Sequence, residues 1–273
     1  MMKKYKLDIL VTTHNRLDLT MKCIEHLYGC TQSPFHLIVV DDSTDLTPLY
    51  MAELKGTYDN ITYIHSDEPY KSGNQIFNIG IARAKTDYVA IVMNSVTVEP
   101  EWESAALRLL DDKPEVGIVG FKNLLPNGLI ESAGIRMVGY LPTDIGRDFP
   151  AHRLSSIYEV EAVQWAFCLL RKEAVVGNLE EDLFNGFKGV DDIDNCFVIK
   201  KKDWKIFYCG LGVGYHAPRA TRGSNSLEAK KLNAENMTTF YKRWGFYEDW
   251  QREVKGLTDE DLVHQSPIVR SGG

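Results

Sequence analysis

The first half of the chain alternates short apolar runs with segments whose apolar residues recur at helical spacing. Residues 6–12 (KLDILVT), 36–40 (HLIVV), 61–65, 88–93 (YVAIVM) and 116–121 (VGIVGF) read as buried strands, too short for helices and bounded by polar punctuation. Between them, residues 17–29 put Leu17, Met21, Ile24 and Leu27 on one helical face and stop at Gly29. Further helices are predicted over about 46–58, 74–84 and 102–110. Strands alternating with helices of this length imply βαβ units and a mainly parallel sheet.

The pattern changes after residue 121. Leu125-Pro126-Asn127-Gly128 is a turn signal inside a hairpin-like stretch, and residues 141–156 read as a long loop of the kind that often carries function. Residues 159–171 return to strand, 189–202 form a charged helix, and 205–213 a last strand. Residues 226–254 form one or two amphipathic helices, broken near Gly245. No internal repeat or low-complexity segment is present.

Composition narrows the class. Of 273 residues, 44% are hydrophobic and 25% charged, which suits a globular protein with a sizeable core. The net charge of −7 argues against non-specific nucleic-acid binding. No apolar run is long enough for a transmembrane helix or a signal peptide. The cysteines (Cys23, Cys30, Cys168, Cys196, Cys209) lack CxxC spacing, so they read as reduced core thiols of a cytoplasmic protein. Contact with a membrane periphery stays open, although Glu248, Asp249, Glu253 and Asp259-Glu260-Asp261 argue against anionic lipid.

Open α/β sheets take ligands at the carboxyl ends of their strands. After the first strand comes Thr12-Thr13-His14-Asn15-Arg16, which is not GxGxxG and so counts against a dinucleotide fold. After the second comes Asp41-Asp42-Ser43-Thr44-Asp45. Adjacent carboxylates there suit ribose hydroxyls or a base N–H; an Asx turn with a helix cap accounts for them equally well. After the third, Lys71-Ser72-Gly73-Asn74 offers a cation for phosphate and a glycine for close backbone approach. Asn94-Ser95 follow the fourth. Asp191, Asp192 and Asp194 crowd one helix head, where mutual repulsion raises at least one pKa, as a general base requires. His216 ends the last strand beside Arg219 and Arg222.

In this order the motifs resemble the inverting GT-A glycosyltransferases of family 2 type, the group with rhamnosyl-, galactofuranosyl- and N-acetylhexosaminyltransferases. VTTHNR (11–16) resembles the opening loop that usually ends Tyr-Asn-Arg, and IVVDDSTD (38–45) resembles the family's VVDDGSTD segment. KSGNQIFNIGIARA (71–84) resembles its N-x-G helix, VEAVQWAFCLLR (160–171) its WxxGxxLLxRR strand, and GVDDIDNC (189–196) its GEDxDLC helix head. The resemblance covers about residues 6–245. The metal motif departs: Asp-x-Asp or Asn-Asn-Asp falls on Met93-Asn94-Ser95, with no carboxylate, which puts a manganese or magnesium site in doubt.

The resemblance implies a Rossmann-like, mainly parallel sheet flanked by helices, a smaller mixed acceptor-side subdomain and C-terminal helices. Expected bounds are 1–225 for the GT-A domain, with a nucleotide half at 1–121 and an acceptor half at 122–225, and 226–273 for a helical extension. It implies sugar transfer from a UDP-, dTDP- or GDP-linked donor to a glycan or other hydroxyl acceptor, with Asp192 as base, Asp191 second, and Asp194 orienting the site. Donor contacts fall to Thr12, Thr13, Arg16, Asp41, Asp42, Lys71, Asn78, Asn94 and Ser95, and the sugar or acceptor pocket to Trp165. Phosphate contacts fall to Arg219 and Arg222, with Lys242-Arg243 as further cations, and a metal contact to His216. A catalytically inactive domain that binds nucleotide or glycan is the alternative; a nucleotidyltransferase lacks its glycine-rich loop here. Oligomeric state and pathway are not encoded in these motifs.

Overall fold

The computed structural model describes residues 4–186, 190–218 and 227–254. Parallel strands β1 (Leu7–Thr13), β2 (Phe35–Asp41) and β3 (Ile61–His65) run outward from the centre of one sheet, linked by α1 (Leu17–Cys30) and α2 (Thr47–Thr57). The chain then returns through α3 (Gly73–Ile81) to β4 (Tyr88–Met93), which pairs in parallel with the other side of β1. Strand order therefore reverses between β1 and β4, and the crevice beyond their carboxyl ends is where such sheets bind ligands.

A short β5 (Val96–Val98) and α4 (Ser104–Asp112) precede β6 (Val116–Leu124), which turns back through β7 (Ile130–Ser132). A hairpin, β8 (Ile135–Val138) with β9 (Leu141–Asp144), stands beside the main sheet. Then follow β10 (Ile157–Glu159), β11 (Phe167–Arg171), the short α5 (Lys172–Val175), α6 (Asp191–Lys200) and β12 (Lys205–His216). The described sheet runs β10-β12-β6-β11-β4-β1-β2-β3, with β11 antiparallel to both neighbours and β6–β12 parallel. The expected mainly parallel sheet is present, with helices on both faces and a mixed region beyond β6.

Alternation along the strands divides the core. Leu10, Ile38, Val40, Val89, Ile91 and Ile118 face a cluster with α3 and α6, while Ile9, Val11, Leu37, Val39, Val92 and Val119 face α1 and α4. α7 (Leu227–Trp244) buries Met237, Phe240 and Tyr241 in the first cluster. Gly245, at φ 78, separates it from α8 (Tyr247–Val254), the break expected from sequence. No described helix is long and apolar enough to cross a membrane.

Three expectations need correction. Residues 159–171 do not form one strand: β10 pairs at the sheet edge and β11 at its centre, so the segment between must cross from one to the other. The expected loop 141–156 begins as β9, because Leu141–Asp144 finds a partner in β8. The last strand continues past 213 to His216, over a register shift between Cys209 and Val213. Gly210 and Gly212 sit in that bulge, where a Cβ would fall 2.1 Å from the Leu154 carbonyl and 2.3 Å from the Phe121 ring.

Candidate active site

The loops after β1, β2 and β4 meet at the reversal point. Asn15 and Arg16 are both left-handed, at φ 56 and 61, so the β1–α1 turn is strained and needs external support. Asn15 supplies much of it: its N–H donates to Ser43 Oγ (2.6 Å), and its Oδ1 accepts from the Thr44 and Asp45 N–H groups (2.8 and 3.2 Å). Asn94 supplies the rest, with Nδ2 donating to Thr13 Oγ1, Thr20 Oγ1 and the Asn15 carbonyl. Thr12 contributes its carbonyl to the Asn94 N–H (3.1 Å). Arg16 extends along the Asp18 carboxylate.

The two aspartates after β2 have separate jobs. Asp41 is fully buried, accepting from Ser43 N–H, from the Tyr63 hydroxyl at 2.6 Å, and facing His65 Nδ1 at 3.0 Å. It organises the strand ends. Asp42 lies nearer the crevice: Oδ1 meets His14 Nδ1 at 2.8 Å, and Oδ2 accepts the Tyr70 N–H at 3.1 Å. The His14 ring is 26% exposed and the Asp42 side chain 0%, so the imidazole alone presents an accessible wall, held from behind by the carboxylate.

Across the crevice, α3 and α6 meet. Ser72 caps α3, accepting from the Gln75 N–H, and donates to the Glu181 carbonyl. Asn74 and Asn195 exchange reciprocal amide hydrogen bonds of 3.1 and 2.7 Å while 2% and 1% exposed, which fixes α6 against α3. This draws Asp191 to the α3 N-terminus, where a Cβ on Gly73 would lie 2.8 Å from Asp191 Oδ2. Only glycine leaves room there, and the helix N-terminus favours the carboxylate. Burial pushes the Asp191 and Asp192 pKa values up, and Asp191 raises Asp192 further by charge repulsion. Backbone N–H groups of Ile193 and Trp165 hold the Asp192 carboxylate. Asp194 turns away to Trp244 Nε1 (2.7 Å) and Arg243 Nε (3.2 Å), and burial raises it to about 6. It ties α6 to α7.

A second acidic group comes from segments the sequence reading passed over. His216, at the end of β12, meets Glu131 Oε2 through Nδ1 at 2.7 Å. Asp144, the last residue of β9, accepts from Gln164 Nε2 and lies 3.6 Å from Arg147. Burial lifts Asp144 to about 6, with Glu131 adding repulsion. Its charge also reaches Asp192. The signal for Asp144 was its place in a long loop; Glu131, Gln164 and Asn195 carried none.

Several expected contacts are used elsewhere. Trp165 is 1% exposed and packs on Phe77 at 5.4 Å between ring centroids, so the structure places it in the core rather than lining a pocket. Asn78 donates to the Leu179 carbonyl and Glu181, holding the segment before α6. Lys71 is exposed beside the α3 N-terminus. Arg243 pairs with Glu180 and Asp194, and Lys242 lies over the Tyr247 ring. Arg219 and Arg222 lie outside the described residues.

The donor set does not fit a metal carried by the protein's own side chains. Asn94 is 4% exposed with its amide committed inward, and Ser95 offers one neutral hydroxyl. Among the described residues, no three His, Cys, Asp or Glu side chains gather as a metal site. The cysteines are free thiols; Cys23, Cys168, Cys196 and Cys209 are buried, while Cys30, expected in the core, is partly exposed.

Residues 8–125 match the glycosyl transferase family 2 profile. The chain is 26% identical over 280 residues to the protein y4gI of Sinorhizobium fredii, covering 95% of this chain. It is 28% identical over 119 residues to a hyaluronan synthase of Pasteurella multocida, covering 42% of this chain. It spans 30% and 12% of those relatives' own lengths. Among solved structures, it is similar to GalNAc-T7 with UDP, GalNAc and manganese, at TM-score 0.71 and 14% identity, over 98% of this chain and 55% of that one. It is also similar to a Pyrobaculum calidifontis mannosyltransferase in complex with GDP-mannose and manganese, at TM-score 0.62 and 15% identity, over 98% and 70%. The chain thus resembles the family 2 glycosyltransferases and has their GT-A fold.

Proposed function

We propose that this chain transfers a sugar from a nucleotide-sugar donor to an acceptor hydroxyl, with inversion at the anomeric carbon. The observation that carries the reading is the Asp191–Asp192 pair at the head of α6, held against the α3 N-terminus beside the crevice where strand order reverses between β1 and β4. The family 2 match over residues 8–125 and the GT-A fold support glycosyl transfer as the reaction class.

The chemistry follows from the pair. The acceptor oxygen attacks the anomeric carbon as its proton passes to the Asp192 carboxylate. The bond from that carbon to the diphosphate oxygen breaks, and its electron pair leaves with the nucleoside diphosphate. A base with a raised pKa is better matched to an alcohol proton than an ordinary carboxylate. Asp191 contributes that rise by repulsion. His14, held by Asp42, and the Thr12-Thr13 strand end form the nucleotide wall. Lys71, exposed beside the α3 N-terminus, supplies charge for the phosphates. In the related structures manganese accompanies the nucleotide; when bound, such an ion neutralises the leaving diphosphate. Were such an ion to accompany the donor, the diphosphate would be its chief ligand and His216 would be the protein's contribution.

Two measurements test this. In a thermal-shift screen with UDP, dTDP and GDP, one of them at 100 times its dissociation constant raises stability by about 2.7 kcal/mol. With the matching nucleotide sugar, Asp192→Asn lowers turnover by roughly 10²–10⁴-fold and leaves donor affinity nearly unchanged. Nucleotide binding with no transfer or donor hydrolysis by the wild type would instead support the inactive, ligand-binding alternative.

A further inference from the structure

Asn94 stands at the carboxyl end of β4, and its side-chain nitrogen faces the β1–α1 turn. Nδ2 lies 3.0 Å from Thr20 Oγ1, 3.2 Å from Thr13 Oγ1 and 3.3 Å from the Asn15 carbonyl. A backbone carbonyl can only accept, so the nitrogen, not the oxygen, must face Asn15, and the amide orientation is fixed. Thr13 and Thr20 also bond each other at 2.9 Å, so their hydroxyls form one buried cluster around the amide. The Asn94 N–H meanwhile donates to the Thr12 carbonyl, which fastens the β4 end to β1.

The partner of this clasp is the strained turn. Asn15 and Arg16 hold successive left-handed conformations without being glycine. Such a turn persists only where its surroundings determine it. Asn15 has its N–H on Ser43, its Oδ1 on Thr44 and Asp45, and its carbonyl on Asn94. The turn carries His14, whose ring meets Asp42. One amide from β4 therefore helps fix the geometry of the nucleotide wall.

We infer that Asn94 is a positioning residue: it clasps the β1–α1 turn across the reversal point and sets the nucleotide wall. The inference rests on the nucleotide-sugar reading for its functional meaning. An aspartate at 94 would keep the shape but lose the donor, setting a carboxylate against the Asn15 carbonyl.

The test compares wild type with Asn94→Asp and Asn94→Ala. Both variants are expected to keep the wild-type circular dichroism spectrum. Amide hydrogen exchange quickens at residues 13–16 and 44–45 in both. Affinity for the best nucleoside diphosphate falls about tenfold, the scale of one lost hydrogen bond. Donor KM rises by a similar factor while kcat for donor hydrolysis changes by less than about twofold, since the base is untouched. Unchanged exchange in both variants would overturn the inference, as would an unchanged donor KM. If the wild type binds no nucleoside diphosphate, the transfer reading fails, while the exchange measurement still decides the clasp.

Discussion

Asp144→Asn should make the protein more stable at neutral pH and no more stable in acid. The Asp144 side chain is 24% exposed, and burial lifts its pKa from 3.8 to about 6. A raised folded-state pKa means that the protonated form is favoured in the fold. Its stabilising effect is present below 3.8 and is lost as pH rises through about 6. Once both states are ionised the penalty is about 3 kcal/mol, at about 1.4 kcal/mol per tenfold. Linkage leaves roughly half of it at pH 5. Asparagine removes that penalty, keeps the volume, and retains an oxygen for Gln164 Nε2, but gives up the 3.6 Å attraction to Arg147. The net gain is about 1–3 kcal/mol at pH 7.5, or very roughly 3–10 °C in Tm. The assay is urea unfolding of both proteins at pH 5 and pH 7.5. A difference that is the same at both pH values, or a variant less stable at pH 7.5, would refute the reasoning. A second readout follows from the repulsion between Asp144 and Asp192. Without it, the acid limb of the kcat/KM profile moves to lower pH.

Other outcomes follow from the same geometry. Asp42→Ala releases His14 and the Tyr70 N–H and should weaken nucleoside diphosphate binding by about 1–3 kcal/mol in calorimetry; unchanged affinity would remove Asp42 from the nucleotide wall. Asn195→Ala leaves the buried Asn74 Oδ1 without its donor and should cost about 2–4 kcal/mol in chemical denaturation. Its kcat should fall while its donor KM stays nearly unchanged, because α6 carries the base and not the nucleotide wall; a rise in KM as large as the loss in kcat would contradict that division.

Much of the frame is written locally. Apolar runs alternating with helical periodicity gave the parallel strands, and Gly245 marked the break between α7 and α8. The crowding of Asp191, Asp192 and Asp194 announced an electrostatically unusual helix head, but burial, which only the packing decides, is the larger cause of the raised Asp191 and Asp192 values. The sequence also placed Asn94 and Ser95 where a carboxylate pair was expected. What it did not determine was which polar groups face one another across the sheet. Asp41 and Asp42 are adjacent, yet one is consumed by Tyr63 and His65 and the other meets His14. Trp165 lies in the core because Phe77 of α3 covers it. Glu131 gains meaning only from His216, 85 residues away, and Asn195 only from Asn74, 121 residues away. Periodicity records which face of an element is buried, because burial of apolar surface is a property of each side chain by itself. A hydrogen bond needs a particular partner at a particular distance and angle, and only the packing of distant segments supplies it.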